Sequence, residues 1–199
     1  MALLNRYGPH NLDGERRFKP QIIASHSVLI NLWDHSLKGG LCGAPGRYAL
    51  LQDYFFVLAL QPGAEGRDRF QILKRYEFEP VPTDHVQIER KYDWPSFGVY
   101  ITDRRTGESV FFTGDTKFDY PAYARYMHDA KLIFHDVQLA PAADAVHALL
   151  AELRTMPPEV KRKTVLFHYG DDWDTEKYGF VAEEFAGFAQ PQVRYTLFA

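Results

Sequence analysis

A chain of 199 residues that is 46% hydrophobic and 15% aromatic can bury a sizeable core, which excludes the disordered class and predicts one compact domain over residues 1–199. Twenty-three Lys and Arg against 26 Asp and Glu leave a formal charge of -3, which is not the footprint of a protein that grips nucleic acid mainly through its phosphates. The single cysteine, Cys42, excludes an intrachain disulfide or a cysteine zinc cage, no apolar run approaches the roughly 20 residues that span a bilayer, and Met-Ala-Leu-Leu-Asn-Arg lacks the apolar stretch of a signal peptide, so the expected location is the cytoplasm.

Residues 11–20 are polar and charged. Gln21-Ile22-Ile23-Ala24 then predicts a short strand that hands over to a helix capped by Ser25 or Ser27. Val28, Leu29, Leu32, Trp33 and Leu37 recur at helical spacing and Gly39-Gly40 should end the run, giving an amphipathic helix over 26–38. Gly43, Pro45 and Gly46 mark a loop, followed by expected strands at 54–60, 70–81, 97–102 and 109–113, the last two joined by turn residues 103–107. From Tyr120 the pattern becomes helices (120–129, 142–156, 176–190) alternating with short apolar strands (131–134, 164–167, 193–198), the signature of a sheet covered by helices.

Three of these strands end alike: Val110-Phe111-Phe112-Thr113-Gly114-Asp115, Leu132-Ile133-Phe134-His135-Asp136 and Val165-Leu166-Phe167-His168-Tyr169. Carboxyl ends of strands in layered α/β structures line one rim, so three separate segments would bring His and Asp to one crevice. Imidazole with carboxylate is the ligand set of zinc, manganese or iron, and a bridging carboxylate can hold two such ions. Any one of these ends alone reads more readily as a turn; three in register point to a metal site. Gly114 adds a residue that can take positive φ or let backbone approach closely.

Phe112-Thr113-Gly114-Asp115-Thr116, Ile133-Phe134-His135-Asp136, His147 and Leu166-Phe167-His168-Tyr169 together resemble the metallo-β-lactamase superfamily, on the branch of tRNA 3′-processing ribonucleases and cyclic-nucleotide phosphodiesterases. The resemblance covers the C-terminal portion of the chain and implies an αββα sandwich. It implies that Asp115 bridges two metals, that His168 binds the second and that His85, after an apolar strand, binds the first. It also places His147, on a helix, near the scissile phosphate; at the edge of the stripe formed by Val146, Leu149, Leu150 and Leu153 it reads equally as a packing residue. His135 and Asp136 are either partners that orient a ligand or leaving group, or a strand-end turn.

The superfamily's His-x-His-x-Asp-His signature is absent. Asp34-His35 is not its remnant, because the motif belongs on a strand-end loop and these residues fall inside the predicted helix. On this reading the chain lacks the N-terminal strands of the fold. Three ligands shared between two metal positions are too few for tight binding, so a second polypeptide carrying the motif, or sequence outside these 199 residues, is expected to complete the site. The alternative is a binding or scaffold protein with a degenerate site. A missing sheet would leave Phe111, Val99 and Phe70 without partners, which predicts association with that polypeptide or with a second copy. The charge balance favours a small nucleotide ligand over long RNA. Trp94-Pro95 and Trp173 are candidates to stack its base, or are ordinary loop packing.

Overall fold

The computed structural model describes residues 19–44, 46–60, 69–88, 92–93, 95–142 and 145–198. The chain divides into two compact units, Met1–Asp68 and Arg69–Ala199. Among the described residues no helix is long and apolar enough to cross a membrane.

In the first unit, strand β1 (Gln21–Ser25) hands over to helix α1 (His26–Leu32), where the Ser25 side chain accepts from the Val28 amide at 3.3 Å as the sequence predicts. The helix does not stop at Gly39-Gly40. It continues through a π-helical turn (Trp33–Leu37) into α2 (Lys38–Leu41), because neither glycine enters the left-handed region that would end it. Asp34 lies in the π turn and pairs with Lys38 at 3.1 Å, so Asp34-His35 is helical. A small hairpin, β2 (Gly43–Ala44) and β3 (Arg47–Tyr48), follows. The strand expected from residue 54 starts later, since α3 (Leu51–Tyr54) is a helical turn whose Asp53 carboxylate accepts from the Leu50 amide at 2.7 Å. Strand β4 (Phe56–Leu60) then pairs in parallel with β1, from Gln21↔Phe56 to Ser25↔Leu60.

The second unit is built on a seven-stranded sheet. The segment expected as one strand over 70–81 folds instead as a hairpin of β5 (Phe70–Ile72) and β6 (Tyr76–Thr83), reversed at Leu73 and Lys74, which take φ of 55° and 56°. A short two-stranded ribbon, β7 (Gln87–Ile88) and β8 (Tyr92–Asp93), precedes the hairpin β9 (Ser96–Asp103) and β10 (Ser109–Phe112). Helix α4 (Tyr120–Asp129), capped by Asp119, crosses to β11 (Leu132–Asp136). Helical turns α5 (Leu150–Leu153) and α6 (Pro158–Lys161) lead to β12 (Thr164–Phe167), and α7 (Val181–Glu184) to β13 (Gly187–Phe188). The order β13-β12-β11-β10-β9-β6-β5 is parallel from β13 to β10 and antiparallel beyond.

Three expectations in this region are corrected. The helix expected over 176–190 is broken into a 3-10 turn (Glu176–Tyr178) and α7 and gives way to β13 at Gly187. The helix expected over 142–156 is reduced to α5, because a bridge between Gln138 and Leu149 takes the backbone just before it; His147 therefore lies at a bend outside any helix. Residues 193–198 form no strand, because β13 already occupies the edge beside β12.

Alternation along the strands divides two apolar faces. Phe111, Ile133 and Leu166 meet Tyr123, Tyr126, Met127 and Leu153 from the helical layer, while Val110, Phe134 and Val165 meet Tyr195, Leu197 and Phe198. Phe111 is therefore fully buried against Tyr123 and Tyr126, contrary to the expectation that it lacks partners; its face is the one the helices cover. Phe70 stacks on Phe78 with ring centroids 5.0 Å apart, also against expectation.

Candidate metal centre

Strands β10, β11 and β12 run in parallel, and β6 runs the same way because two antiparallel pairings separate it from β10. Their carboxyl ends deliver Asp115, Asp136, His168 and His85 to one rim. His147 joins them because the Gln138 amide donates to the Ala148 carbonyl at 2.7 Å and the Leu150 amide to the Gln138 carbonyl at 3.1 Å, which lays the His147 segment along the residues after β11.

The contacts are close. The His147 ring lies 4.8 Å from that of His85 and 4.7 Å from that of His168, centroid to centroid. His147 Nδ1 meets Asp136 Oδ2 at 2.7 Å, and His168 Nδ1 is 3.4 Å from both Asp115 Oδ1 and Asp136 Oδ1. His85 Nδ1 donates to the Val146 carbonyl at 2.9 Å; since a carbonyl only accepts, the proton sits on Nδ1 and Nε2 keeps its lone pair for a ligand. His168 has φ of +61°, a left-handed conformation costly for a residue with a β-carbon and found where geometry is imposed by function.

Asp136 is fully buried. Its Oδ2 also accepts from the Thr116 amide at 2.9 Å, yet its Oδ1 has no hydrogen bond. A buried carboxylate oxygen left so is costly unless a cation meets it. Asp136, His147 and His168 each offer one ligand atom, all within 4.8 Å of one another, so this group could hold a metal ion. The residues present therefore fit a metal, and their donors suit zinc, manganese or iron.

The structure brings together five of the six residues singled out in the sequence and leaves out His135. Its ring points to the other side of β11, fully buried, with Nδ1 donating to the Asp136 backbone oxygen at 2.7 Å and Nε2 without a partner. Burial pushes its pKa down to about 4, against the opposing hydrogen bond and charge of Asp136. The unfolded chain then binds this proton first, so the stability His135 contributes is intact above about pH 6.5 and lost as pH falls toward 4, by about 2–3 kcal/mol. Urea unfolding of His135→Asn at pH 7.5 and 4.5 should show a smaller acid loss than the parent; an identical loss would contradict this.

Four further residues shape the rim without having been assigned a role from sequence: Ser96, whose hydroxyl donates to the Asp115 carbonyl at 2.8 Å, Gly98, Thr116 and Tyr123. Only the glycine inside a strand carries a local signal. Trp173 packs against Tyr169 and Phe188, with centroids 5.0 and 5.6 Å away, and Trp94 lies outside the described residues.

A mixed sheet with helices on one face and His and Asp along the carboxyl ends of its parallel strands fits the metallo-β-lactamase class of α/β folds. Solved structures agree: yeast PDE1 matches with a TM-score of 0.59 at 13% identity, covering 93% of this chain and 58% of that one, and the short form of human tRNase Z with 0.51 at 15%, covering 79% and 64%. Within that class the relationship is narrower, since the family model of Anti-Pycsar protein Apyc1 matches residues 3–195 and the chain belongs to that family. Among curated relatives, the Anti-Pycsar protein Apyc1 of Bacillus phage vB_BsuM-Goe3 is 34% identical over 163 residues, covering 77% of this chain and 58% of the relative. That of Paenibacillus harenae is 31% identical over 157 residues, covering 78% and 58%. The chain thus spans 58% of the length of these relatives.

Proposed function

We propose that the chain carries the acid–base side and part of the metal centre of a phosphodiesterase that opens a cyclic nucleotide, and that a His-x-His-x-Asp-His motif from outside these 199 residues, on a second polypeptide or on the same one, completes it. The observation that carries this reading is the rim itself: His85, Asp115 and His168 placed around a His147 that buried Asp136 holds at 2.7 Å. Membership of the Anti-Pycsar Apyc1 family supports a cyclic-nucleotide phosphodiester as the substrate, in an anti-defence role.

In this reading His85, Asp115 and His168 hold the metal. A bound zinc, manganese or iron pair would lower the pKa of water and neutralise the phosphodiester. The protein residues then supply orientation and a proton. Asp136 Oδ2 accepts a hydrogen bond from His147 Nδ1 and fixes the ring, so the protonated imidazole gives its Nε2 proton to the departing oxygen as water attacks phosphorus and keeps its Nδ1 proton, hydrogen-bonded to Asp136. The Thr116 amide holds the same carboxylate oxygen, which keeps the pair from rotating.

A second reading has an observation of its own, since Asp136, His147 and His168 lie close enough to be the ligand set themselves. The two differ in what His147→Ala does to metal content.

The test is reconstitution of the chain with a polypeptide carrying the motif, with metal content and hydrolysis of a cyclic nucleotide as readouts. Asp115→Ala and His168→Ala should each weaken metal binding by about 10²-fold or more. Unchanged metal content in both variants would sink the site, and metal binding without hydrolysis would favour the scaffold alternative.

A further inference from the structure

Thr116 is fully buried and its side chain is not one of the groups that meet a metal or substrate in the reading above. Its neighbours form a closed circuit around Asp84, the residue before His85. The Asp84 amide donates to the Tyr123 hydroxyl at 3.4 Å, that hydroxyl lies 3.3 Å from Thr116 Oγ1, and Thr116 Oγ1 donates to the Asp84 carbonyl at 3.1 Å. The same carbonyl accepts from the Lys117 amide at 2.7 Å. Thr116 Oγ1 also lies 2.9 Å from the Lys117 carbonyl, and its single proton can serve only one of these acceptors at a time.

The two ends of this circuit belong to different parts of the rim. Asp84-His85 follows β6, whereas Thr116 follows Asp115 after β10, and the Thr116 amide reaches Asp136 Oδ2 at the end of β11. Tyr123, 3% exposed on α4, anchors the circuit to the core through its contact with Phe111. The loop of His85 is thus fixed to the loop of Asp115 through two buried hydroxyls and the Lys117 amide rather than through a strand ladder.

We propose that Thr116, with Tyr123, is a positioning residue that sets His85 against Asp115 and His147 and so determines metal affinity. This rests on the metal-site reading above. Losing an outer hydrogen bond that orients a ligand costs about 10–100-fold in metal affinity, whereas losing a buried hydroxyl elsewhere costs only stability.

The experiment compares Thr116→Val, which keeps shape and removes the hydroxyl, with Thr116→Ser and with Thr164→Val. Thr164 is equally buried and its hydroxyl donates to the Val160 carbonyl at 2.8 Å on β12, away from this circuit. Zinc titration of the chain, alone and with the completing polypeptide, should show dissociation constants raised about tenfold or more by Thr116→Val. Those of Thr116→Ser and Thr164→Val should stay within about twofold of the parent. In a His85→Ala background Thr116→Val should add nothing. A metal-free readout runs beside it: the nuclear Overhauser contact between the His85 and His147 rings should be lost in Thr116→Val and kept in Thr164→Val. Tyr123→Phe, which breaks the circuit from the other side, serves if Thr116→Val does not fold.

An unchanged ring contact and unchanged affinity in Thr116→Val would overturn the proposal, as would an equal effect of Thr164→Val or full additivity with His85→Ala. If Asp115→Ala and His168→Ala leave zinc binding unaltered, the metal-site reading fails, and the ring contact still decides whether Thr116 positions His85.

Discussion

Alanine at His147 is expected to lower the turnover of a cyclic nucleotide about 10²–10⁴-fold in the completed enzyme while leaving its metal in place. The expectation follows from how the ring is held. Its Nδ1 is engaged at 2.7 Å by a carboxylate that is itself fully buried and tied to the Thr116 amide, so the ring has one orientation and one nitrogen to offer. Asp136→Asn should produce a loss of the same order. The amide is nearly isosteric but presents a neutral partner to the ring and cannot stabilise it in its protonated form. Because the two residues act as one unit, the double variant should lose little more than either single one. Metal analysis of the same proteins separates the two readings of the site. If His147→Ala also strips the metal, then His147 is a ligand beside Asp136 and His168, and the leaving-group role passes to another residue.

The elements carrying the rim were legible because parallel, fully covered strands are continuous apolar runs, and Val110–Phe112, Ile133–Phe134 and Val165–Phe167 have that form. Three features were not legible, each for a physical reason. Leu73 and Lys74 make a left-handed turn without glycine or asparagine, so the break between β5 and β6 leaves no trace in residue types. Residues 193–198 have strand composition, but a ladder needs a free edge, and β13 takes the one beside β12. His147 sits in a segment with helical spacing whose backbone is drawn away by Gln138, a long-range contact that local periodicity cannot report. Asp115, Asp136 and His168 were found because each ends or follows an apolar strand, whereas His85 and His147 were found through the family resemblance. Gly114 was read correctly as a residue of positive φ and close backbone approach, whereas the hydroxyls and Gly98 were missed because their roles depend on which strands become neighbours.

Glycine 98 carries the largest expected effect of that hidden kind. It lies in β9 opposite Val81, directly beneath the point where the chain leaves β10. A β-carbon there would stand 2.8 Å from the carbonyl oxygens of both Phe112 and Thr113, and 3.1 Å from the Phe111 ring. Gly114 meets the same crossing from above: at φ of +63° its β-carbon would lie 2.8 Å from the Phe97 carbonyl oxygen. The obstructing atoms are backbone, so no side chain can rotate away. Relief has to come from moving Thr113–Asp115, and this displaces the Asp115 carbonyl that Ser96 holds. Gly98→Ala should therefore cost about 1–3 kcal/mol by overpacking. Gly114→Ala should add about 1–2 kcal/mol of left-handed strain to a similar clash. Both should weaken zinc binding. Gly107→Ala is the control, since its φ of +74° imposes the same conformational cost but nothing lies within 4 Å of the added carbon. It should lower the thermal midpoint and leave zinc affinity as it was. Parent-like zinc affinity in Gly98→Ala would mean that Asp115 is not aimed by this crossing.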